Sequence, residues 1–162
     1  MKRLLKLLLL LLALVVFAPH AASADEASGS GALALAALVG NVSPLLAPPG
    51  KDALMKFLNG QTDFEFPAGR KIAVTADKVA CRTSNVDITA HSCDLSFGSK
   101  DVKLNGRAAH ELYATLLEVG VAADPGAGNI WVTVTKLKCA IDVDEVKDKA
   151  GGGASCEYAS DG

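Results

Sequence analysis

The sequence predicts an α+β fold: a small antiparallel β-sheet with helices packed on one face, preceded by an N-terminal helical hairpin and held by disulfides. Two five-residue arms of alternating polarity surround Gly98 and Ser99, as in a β-hairpin with a type II′ turn. Apolar side chains recur at helical spacing between Asn105 and Gly120. Strands that meet as hairpins, with helices between them in the chain, are typical of this class.

Residues 1–24 have the layout of a secretory signal peptide. A basic start precedes an unbroken apolar run from Leu7 to Phe17, and Ala22-Ser23-Ala24 forms a small-x-small cleavage site. The run is shorter than the roughly 20 residues that a membrane-spanning helix needs, and an uncleaved anchor helix is the alternative. We expect cleavage after Ala24, a periplasmic or secreted location, and no membrane attachment afterwards.

Cleavage at this point leaves 138 of the 162 residues, the size of one ordinary domain. The signal peptide takes three of the 16 basic residues and none of the 18 acidic ones, so the mature chain has 13 basic and 18 acidic residues, a net charge of −5. This mildly acidic composition contains no cluster of Lys or Arg, which argues against nucleic-acid binding. No basic amphipathic segment indicates a membrane surface either.

All four cysteines lie in the predicted mature chain, and an even number in an exported protein indicates disulfides. Four cysteines allow three pairings, and their order in the chain favours Cys81–Cys93 and Cys139–Cys156. The sequence has no C-x-x-C motif, which argues against a thioredoxin-type redox pair or a zinc knuckle.

The predicted α+β domain spans residues 51–162, and residues 25–50 precede it. These divide into a loose polar leader (25–31), an Ala/Leu-rich helix (32–39) that stops at Gly40, and a Pro/Gly linker (43–50). The helix either packs on the domain or belongs to the export signal, and we favour packing.

A second helix is predicted where the domain begins. Leu54, Phe57 and Leu58 share one face of it, and Gly60 is its stop. The Pro/Gly linker joins it to the preceding helix, which makes the two a helical hairpin.

Two strands are predicted to change their inward face along their length. Residues 70–81 alternate as a strand, but apolar Val74 and Val79 differ in parity, so we expect a bulge near Asp77 and Lys78. Residues 130–141 form a second such strand, in which the parity changes between Val134 and Leu137.

The turn at Gly98 and Ser99 sets the register of the hairpin. Apolar Leu95 then faces Val102, and on the opposite face Asp94 meets Lys103 as an opposite-charge pair. Phe97 faces Lys100, Ser96 faces Asp101 and Cys93 faces Leu104.

The helix that follows the hairpin is predicted to begin after Asn105, as an N-cap, and to end at Gly120. Arg107 and Glu111 form an i,i+4 pair on its wet side. Its apolar stripe consists of Ala108, Leu112, Leu116 and Val119, widened by Tyr113 and Leu117.

After the last strand, Asp142 and Glu145 form a capping box for a short helix that ends near Lys149. The glycine-rich residues that follow lead to a tail, which the Cys139–Cys156 disulfide ties to the last strand. The acidic residues at 142–145 do not continue as a calcium loop.

His91 and His110 are the histidines of the mature chain, and we expect no catalytic, cofactor-binding or metal role for them as a pair. A zinc site needs two further donors, and position 114, where a metalloprotease helix has its second histidine, is Ala. No G-x-S-x-G motif occurs in the mature chain, and cysteines in disulfides have no thiolate for catalysis. We expect surface or hydrogen-bonded histidines, available as partner contacts.

Trp131 is the single tryptophan, and alternation places it on the face opposite Ile130 and Val132. It either packs under a helix or is an exposed aromatic anchor for a partner. We favour packing and keep the anchor as the alternative.

These observations favour an exported, disulfide-stapled domain that is not an enzyme and binds a protein or envelope component, for instance as an inhibitor. The alternative is a small exported hydrolase or lyase that uses His91 or His110 as its general base. A structural envelope protein is a third hypothesis. None of the three requires a cofactor.

The signal-peptide prediction has a direct test. N-terminal sequencing of protein isolated from the periplasm or the medium is expected to begin at Asp25, because the small-x-small site ends at Ala24. A product that retains Met1 and the apolar run would contradict the prediction and favour the anchor helix.

Overall fold

A computed structural model describes residues 25–61, 71–84, 86–87, 90–126, 128–142 and 153–160. The signal peptide and the helix predicted for 142–149 lie largely outside these residues and remain predictions; Asp142 itself is the last residue of a strand. Within the described ranges, no helix is long and apolar enough to cross a membrane.

The described residues form six strands and three helices, which confirms the α+β class and the antiparallel sheet. In chain order they are β1 (Asp25–Ser28), α1 (Gly29–Val42), α2 (Pro48–Leu58), β2 (Lys71–Ser84), β3 (Ser92–Phe97), β4 (Lys100–Asn105), α3 (Gly106–Glu118), β5 (Asn129–Asp142) and β6 (Ala154–Ser160).

The strands form one antiparallel sheet in the order β1-β6-β5-β2-β3-β4. The two longest strands, β2 and β5, pair along their whole length at its centre. Each of the two has a partner strand on both sides, and their β-branched and apolar residues suit such a central position.

The two faces of the sheet differ in what covers them. Apart from Ala80, the buried side chains of each strand share one face, and the helices pack there: Val74 approaches α1, and Cys93 lies next to Ala109 of α3. On the other face the side chains other than Ala80 are exposed or part-buried, and no helix of the described chain lies over them. We call this second surface the open face.

The hairpin has the predicted register throughout. Cys93, Leu95 and Phe97 face Leu104, Val102 and Lys100. Asp94 and Lys103 are opposed on the open face, with carboxylate and ammonium atoms 3.7 Å apart and both side chains more than half exposed. Gly98 has φ +62° and Ser99 does not have a positive φ, as a type II′ turn requires.

The predicted change of inward face is present in both central strands. In β2 the buried positions switch after Ala76, and in β5 they switch at the residues directly opposite, so the β2–β5 register is unbroken. The register shift lies instead between β5 and β6, at Thr135 to Lys138. Asp77, at the switch in β2, accepts a hydrogen bond from the backbone N–H of Gly98.

Two segments predicted to be irregular are strands. Asp25–Ser28, expected to be a loose leader, is the edge strand β1, and Ala154–Ser160, expected to be a tail, is β6 between β1 and β5. β1 contributes one buried residue, Ala27, opposite Cys156. The sequence did not predict β1 because its residues are mostly polar, and an edge strand needs little apolar surface.

Helix α1 continues through Gly40 instead of stopping there. A Cβ at this glycine would lie 3.1 Å from Leu54 and 3.2 Å from Val74, so the residue permits close approach of α1 to its neighbours. The buried side chains of α1 show that it packs on the sheet, as favoured. The helical hairpin as a unit with α2 remains a prediction.

Helix α3 begins and ends close to the predicted positions, but its buried stripe is rotated. Ala109 is buried and Ala108 is exposed, and Leu117 is 39% exposed, so the prediction for these two positions is wrong. Thr115 takes part in the buried face, and its hydroxyl donates to the Glu111 carbonyl at 2.8 Å. The predicted Arg107–Glu111 pair is present at 3.0 Å.

Both predicted disulfides are present, and all four cysteines are buried. Cys81 faces Cys93 across β2 and β3, and Cys139 faces Cys156 across β5 and β6. Each bridge therefore joins residues that are direct partners in the sheet.

The disulfides lead to a first prediction from the fold. Replacing Cys139 and Cys156 by Ala is expected to lower the free energy of unfolding by about 3 kcal/mol, because the bridge closes a loop of 17 residues in the unfolded chain. The matched variant at Cys81 and Cys93, with a separation of 12, is expected to lose a similar amount. Denaturant unfolding measures both.

Because β6 has a partner strand on each side, the loss of its disulfide is expected to weaken the whole domain and not to release the C-terminal residues alone. Hydrogen exchange separates the two outcomes. Loss of amide protection confined to residues 154–160, with an unchanged unfolding midpoint, would contradict this expectation.

Tyr158 leads to a second prediction. It is 3% exposed, and its hydroxyl donates to the Val119 carbonyl at 3.0 Å. Burial, and then the charge of Asp25, raise the pKa of Tyr158 above its ordinary value. The neutral phenol is favoured in the folded state, so its contribution to stability is complete below the ordinary tyrosine pKa and is lost as the pH rises through the raised one.

We therefore expect the denaturant concentration at the unfolding midpoint to decrease as the pH rises above about 10. In Tyr158→Phe this decrease is expected to be less steep. At neutral pH this variant is also expected to lose about 1 kcal/mol of the free energy of unfolding, because it lacks the hydrogen bond of the hydroxyl. Asp25→Asn removes the smaller of the two causes of the raised pKa of Tyr158. It is expected to lower slightly the pH at which the phenol ionises, which phenolate absorbance measures. Equal alkaline slopes in the wild type and Tyr158→Phe would contradict the prediction.

Candidate functional site

The fold brings together the two histidines of the predicted mature chain. Nδ1 of His110 lies 3.3 Å from Nε2 of His91, with the ring centroids 4.6 Å apart and the ring planes inclined at 76°. The Tyr113 ring completes the cluster, its centroid 5.4 Å from that of His91. We call these three side chains the histidine cluster.

Local geometry explains why the histidines meet. His91 precedes Cys93 by two residues, so alternation directs both side chains towards the helical side of the sheet. The sulfur of Cys93 lies 3.4 Å from the carbonyl oxygen of Ala109, and the next residue along α3 is His110. The backbone N–H of Gly106, where α3 begins, donates to the carbonyl of His91 at 3.2 Å. Tyr113 follows His110 by three residues and so shares its side of α3.

The His91–His110 contact requires complementary tautomers. It is a hydrogen bond only when one of the two facing nitrogens carries a proton and the other does not. Both rings can exchange protons with water, because His110 is exposed and His91 is only part-buried.

Neither histidine activates a serine in the described part of the chain. Ser92, next to His91, accepts a hydrogen bond from Nε of Arg82 at 2.8 Å. Ser84 accepts from the backbone N–H groups of Val86 and Asp87. A nucleophile held by a histidine base is therefore not formed by these residues. No group of three or more metal-ligating His, Cys, Asp or Glu side chains occurs among the described residues either.

A cavity of about 330 Å³ opens beside His91 at this end of the sheet. Arg82, Thr83, Asn105 and Asn129 are among the residues that line it. The buried hydroxyl of Thr83 has no hydrogen-bond partner within the structure as described. The cavity places amide and hydroxyl groups close to His91.

Trp131 lies on the open face, so the favoured interpretation that it packs under a helix is wrong. Val132 and Val134 of the same strand point to the helices, and alternation directs Trp131 away from them. Its neighbour is the opposed residue on β2, Arg82, whose guanidinium carbon is 5.6 Å from the ring centroid. This is a cation–π geometry.

The backbone of Trp131 is held on both sides. Arg82 is its partner in β2, and on the other side its N–H and carbonyl exchange hydrogen bonds with Asp124, at 2.9 and 2.7 Å. Since Arg82 also bonds Ser92, one row of contacts links β5, β2 and β3 across the open face.

Beside Trp131 a groove of about 400 Å³ runs over the open face and carries charges of both signs. Lys78 and Asp101 line it together with the Asp94–Lys103 pair. Among the described residues, Lys78 and Asp101 make no ion pair. Two positive and two negative side chains therefore line the same groove as the aromatic ring, and two of them are available to another molecule.

Sequence analysis identified the three candidate contact residues but neither arrangement. His91 and His110 are 19 positions apart, and their contact depends on how α3 lies on the sheet. Arg82 was missed altogether, because its relation to Trp131 is set by the pairing of β2 with β5. The available signal was the alternation of the two strands, which needs a register before it can predict a neighbour.

No protein-family model, curated protein or solved structure matches the chain. The histidine cluster and the open face are therefore the two features of the molecule that indicate a function.

Proposed function

We propose that the mature protein is an exported, non-enzymatic domain that binds a protein or envelope component, and that the open face around Trp131 and Arg82 is its binding surface. The observation that carries the proposal is the position of these two side chains on a sheet face that no described helix covers. An inhibitor-like role is one form of this function.

The proposed periplasmic or secreted location agrees with the two buried disulfides. Disulfides persist in oxidising compartments, whereas thiols are kept reduced in the cytosol. The proposal includes cleavage of residues 1–24. In the mature chain β1 and α1 then pack with the domain predicted for residues 51–162.

Trp and Arg are the residue types in which binding energy concentrates at protein interfaces. Here the guanidinium lies over the indole ring, and Ser92 holds it from the other side. An anchor with so little conformational freedom loses little entropy on binding. The central strands β2 and β5 hold both residues, so the surface is formed before the partner arrives.

The charges around the groove favour a protein as the partner. Two lysines and two aspartates offer complementary positions to a mixed polar surface but not to a polyanion. A nucleic acid would require a surplus of positive charge, and the mature composition is acidic. The partner that fits is a protein with an apolar side chain at its centre and charges of both signs around it.

The hydrolase or lyase hypothesis is the second candidate, because the histidine cluster gives it a specific observation. Each imidazole of the pair can take a proton from a substrate while the other holds its ring in place. The cavity beside His91 offers room for a small substrate. The two candidates depend on different residues, Trp131 in one and His91 or His110 in the other. A structural envelope protein, the third hypothesis, requires neither.

Substitution of Trp131 tests the binding function. Mature protein with intact disulfides is immobilised and exposed to envelope extract and culture medium, and retained proteins are quantified by mass spectrometry. A partner that the wild type retains is expected to bind Trp131→Ala at least about tenfold more weakly, because a hot-spot aromatic residue contributes 2 kcal/mol or more.

Leu45→Ala is the matched control, since Leu45 is a 61% exposed apolar residue in the α1–α2 loop. It is expected to retain the same partner. Equal retention by Trp131→Ala and Leu45→Ala would overturn the proposed surface. An enzymatic activity that survives Trp131→Ala and is lost in His91→Ala and His110→Ala, with the fold intact, would establish the second candidate instead.

A further inference from the structure

The sequence alone indicates no metal role for His91 and His110, but from their contact in the fold we propose that they together bind a divalent transition-metal ion of the Zn²⁺ or Cu²⁺ type, with water or an external ligand at its remaining positions. This site is independent of the binding function proposed for the open face. His91 shares the parity of Cys93 and so faces the helical side of the sheet, opposite Trp131.

The separation of the two facing nitrogens carries the inference. Two imidazole nitrogens, each about 2.0–2.1 Å from one Zn²⁺ ion and at the tetrahedral angle, are about 3.3–3.4 Å apart. Nε2 of His91 and Nδ1 of His110 are 3.3 Å apart. The ring planes are inclined at 76°, so the rings meet edge-on and are not stacked.

Both ligands are fixed at the backbone before any ion binds. The Gly106 N–H holds the carbonyl of His91, and Ala109, which precedes His110, lies against the sulfur of the Cys81–Cys93 disulfide. The centroid of the Tyr113 ring lies 5.4 Å from that of His91. A pair of donors that is already positioned loses little conformational entropy when the ion binds.

Binding requires one change of tautomer and no net release of protons from a neutral pair. In the metal-free pair, one facing nitrogen carries the proton of the hydrogen bond. That N–H bond breaks, an N–H bond forms on the outer nitrogen of the same ring through solvent, and both facing lone pairs become free. Two nitrogen–metal bonds then form as two water ligands leave the ion, and no electron is transferred.

The donor set selects the class of ion. Imidazole suits Zn²⁺, Cu²⁺ and Ni²⁺, whereas Ca²⁺ and Mg²⁺ prefer oxygen ligands. Glu111, the carboxylate that follows His110 in the sequence, is paired with Arg107 at 3.0 Å. No third metal-ligating side chain completes a closed site within the described residues, so the ion keeps open positions. Among the divalent ions, Cu²⁺ is expected to bind most tightly.

Titration of the mature, oxidised protein with ZnCl₂ and separately with CuCl₂ tests the site, with isothermal calorimetry and the melting temperature as readouts. We expect one ion per chain and a rise in melting temperature, because the pair is assembled only in the folded state. His91→Gln and His110→Gln are each expected to weaken binding by at least about tenfold and to abolish the rise. MgCl₂ is expected to have no effect.

Glu111→Gln is the matched control, since it changes the neighbouring carboxylate and leaves both imidazoles. It is expected to bind the ion as the wild type does. The sequence contains three histidines, and the third, His20, lies in the predicted signal peptide, so histidine-dependent binding in the mature chain belongs to this pair.

Three results would overturn the proposal. They are no heat or thermal shift at millimolar Zn²⁺ and Cu²⁺, binding that survives both glutamine variants, and binding lost in only one of them. Imidazole resonances followed by NMR keep the test valid if a variant is less stable, because they report coordination in the wild-type protein directly.

Discussion

The structure depends on two disulfides, against which two of the helices pack. Cys81–Cys93 and Cys139–Cys156 lie on either side of the central β2–β5 pair, each between residues directly opposed in the sheet. The sulfur of Cys93 lies 3.4 Å from the carbonyl of Ala109 in α3, and that of Cys156 lies 3.4 Å from the carbonyl of Ala32 in α1. A small residue in each helix lets its backbone approach the bridge, so the covalent links also determine where the helices sit.

Local patterns predicted the parts of the fold that local physics decides. The hairpin register followed from a turn and two alternating arms, and the disulfide pairing followed from the order of the cysteines in the chain. β1 and β6 were not predicted as strands because both are short and polar on one side. Their pairing is between the two ends of the described chain, Asp25 with Tyr158, which no window of sequence contains.

The candidate sites show the same division. Alternation placed Trp131 opposite Val132, but which face the helices would cover was not encoded in the strand itself, and the interpretation that favoured packing was wrong. The histidine cluster depends on α3 turning back over β3. That turn begins at Gly106, which has φ +61°, a conformation that glycine adopts without strain. Long-range docking, and not residue type, decides which polar side chains become neighbours.

The matched change of inward face in β2 and β5 restricts how this chain can vary in length. Each strand has two consecutive outward residues at the same level, Asp77 and Lys78 opposite Thr135 and Lys136, the last with φ +54°. A one-residue deletion in either strand at this level would turn the side chains of the rest of that strand to the opposite face of the sheet. It would thereby move a cysteine to the solvent side. Single-residue insertions and deletions at the centre of the sheet are therefore expected to disrupt the core, whereas the loops can lengthen independently.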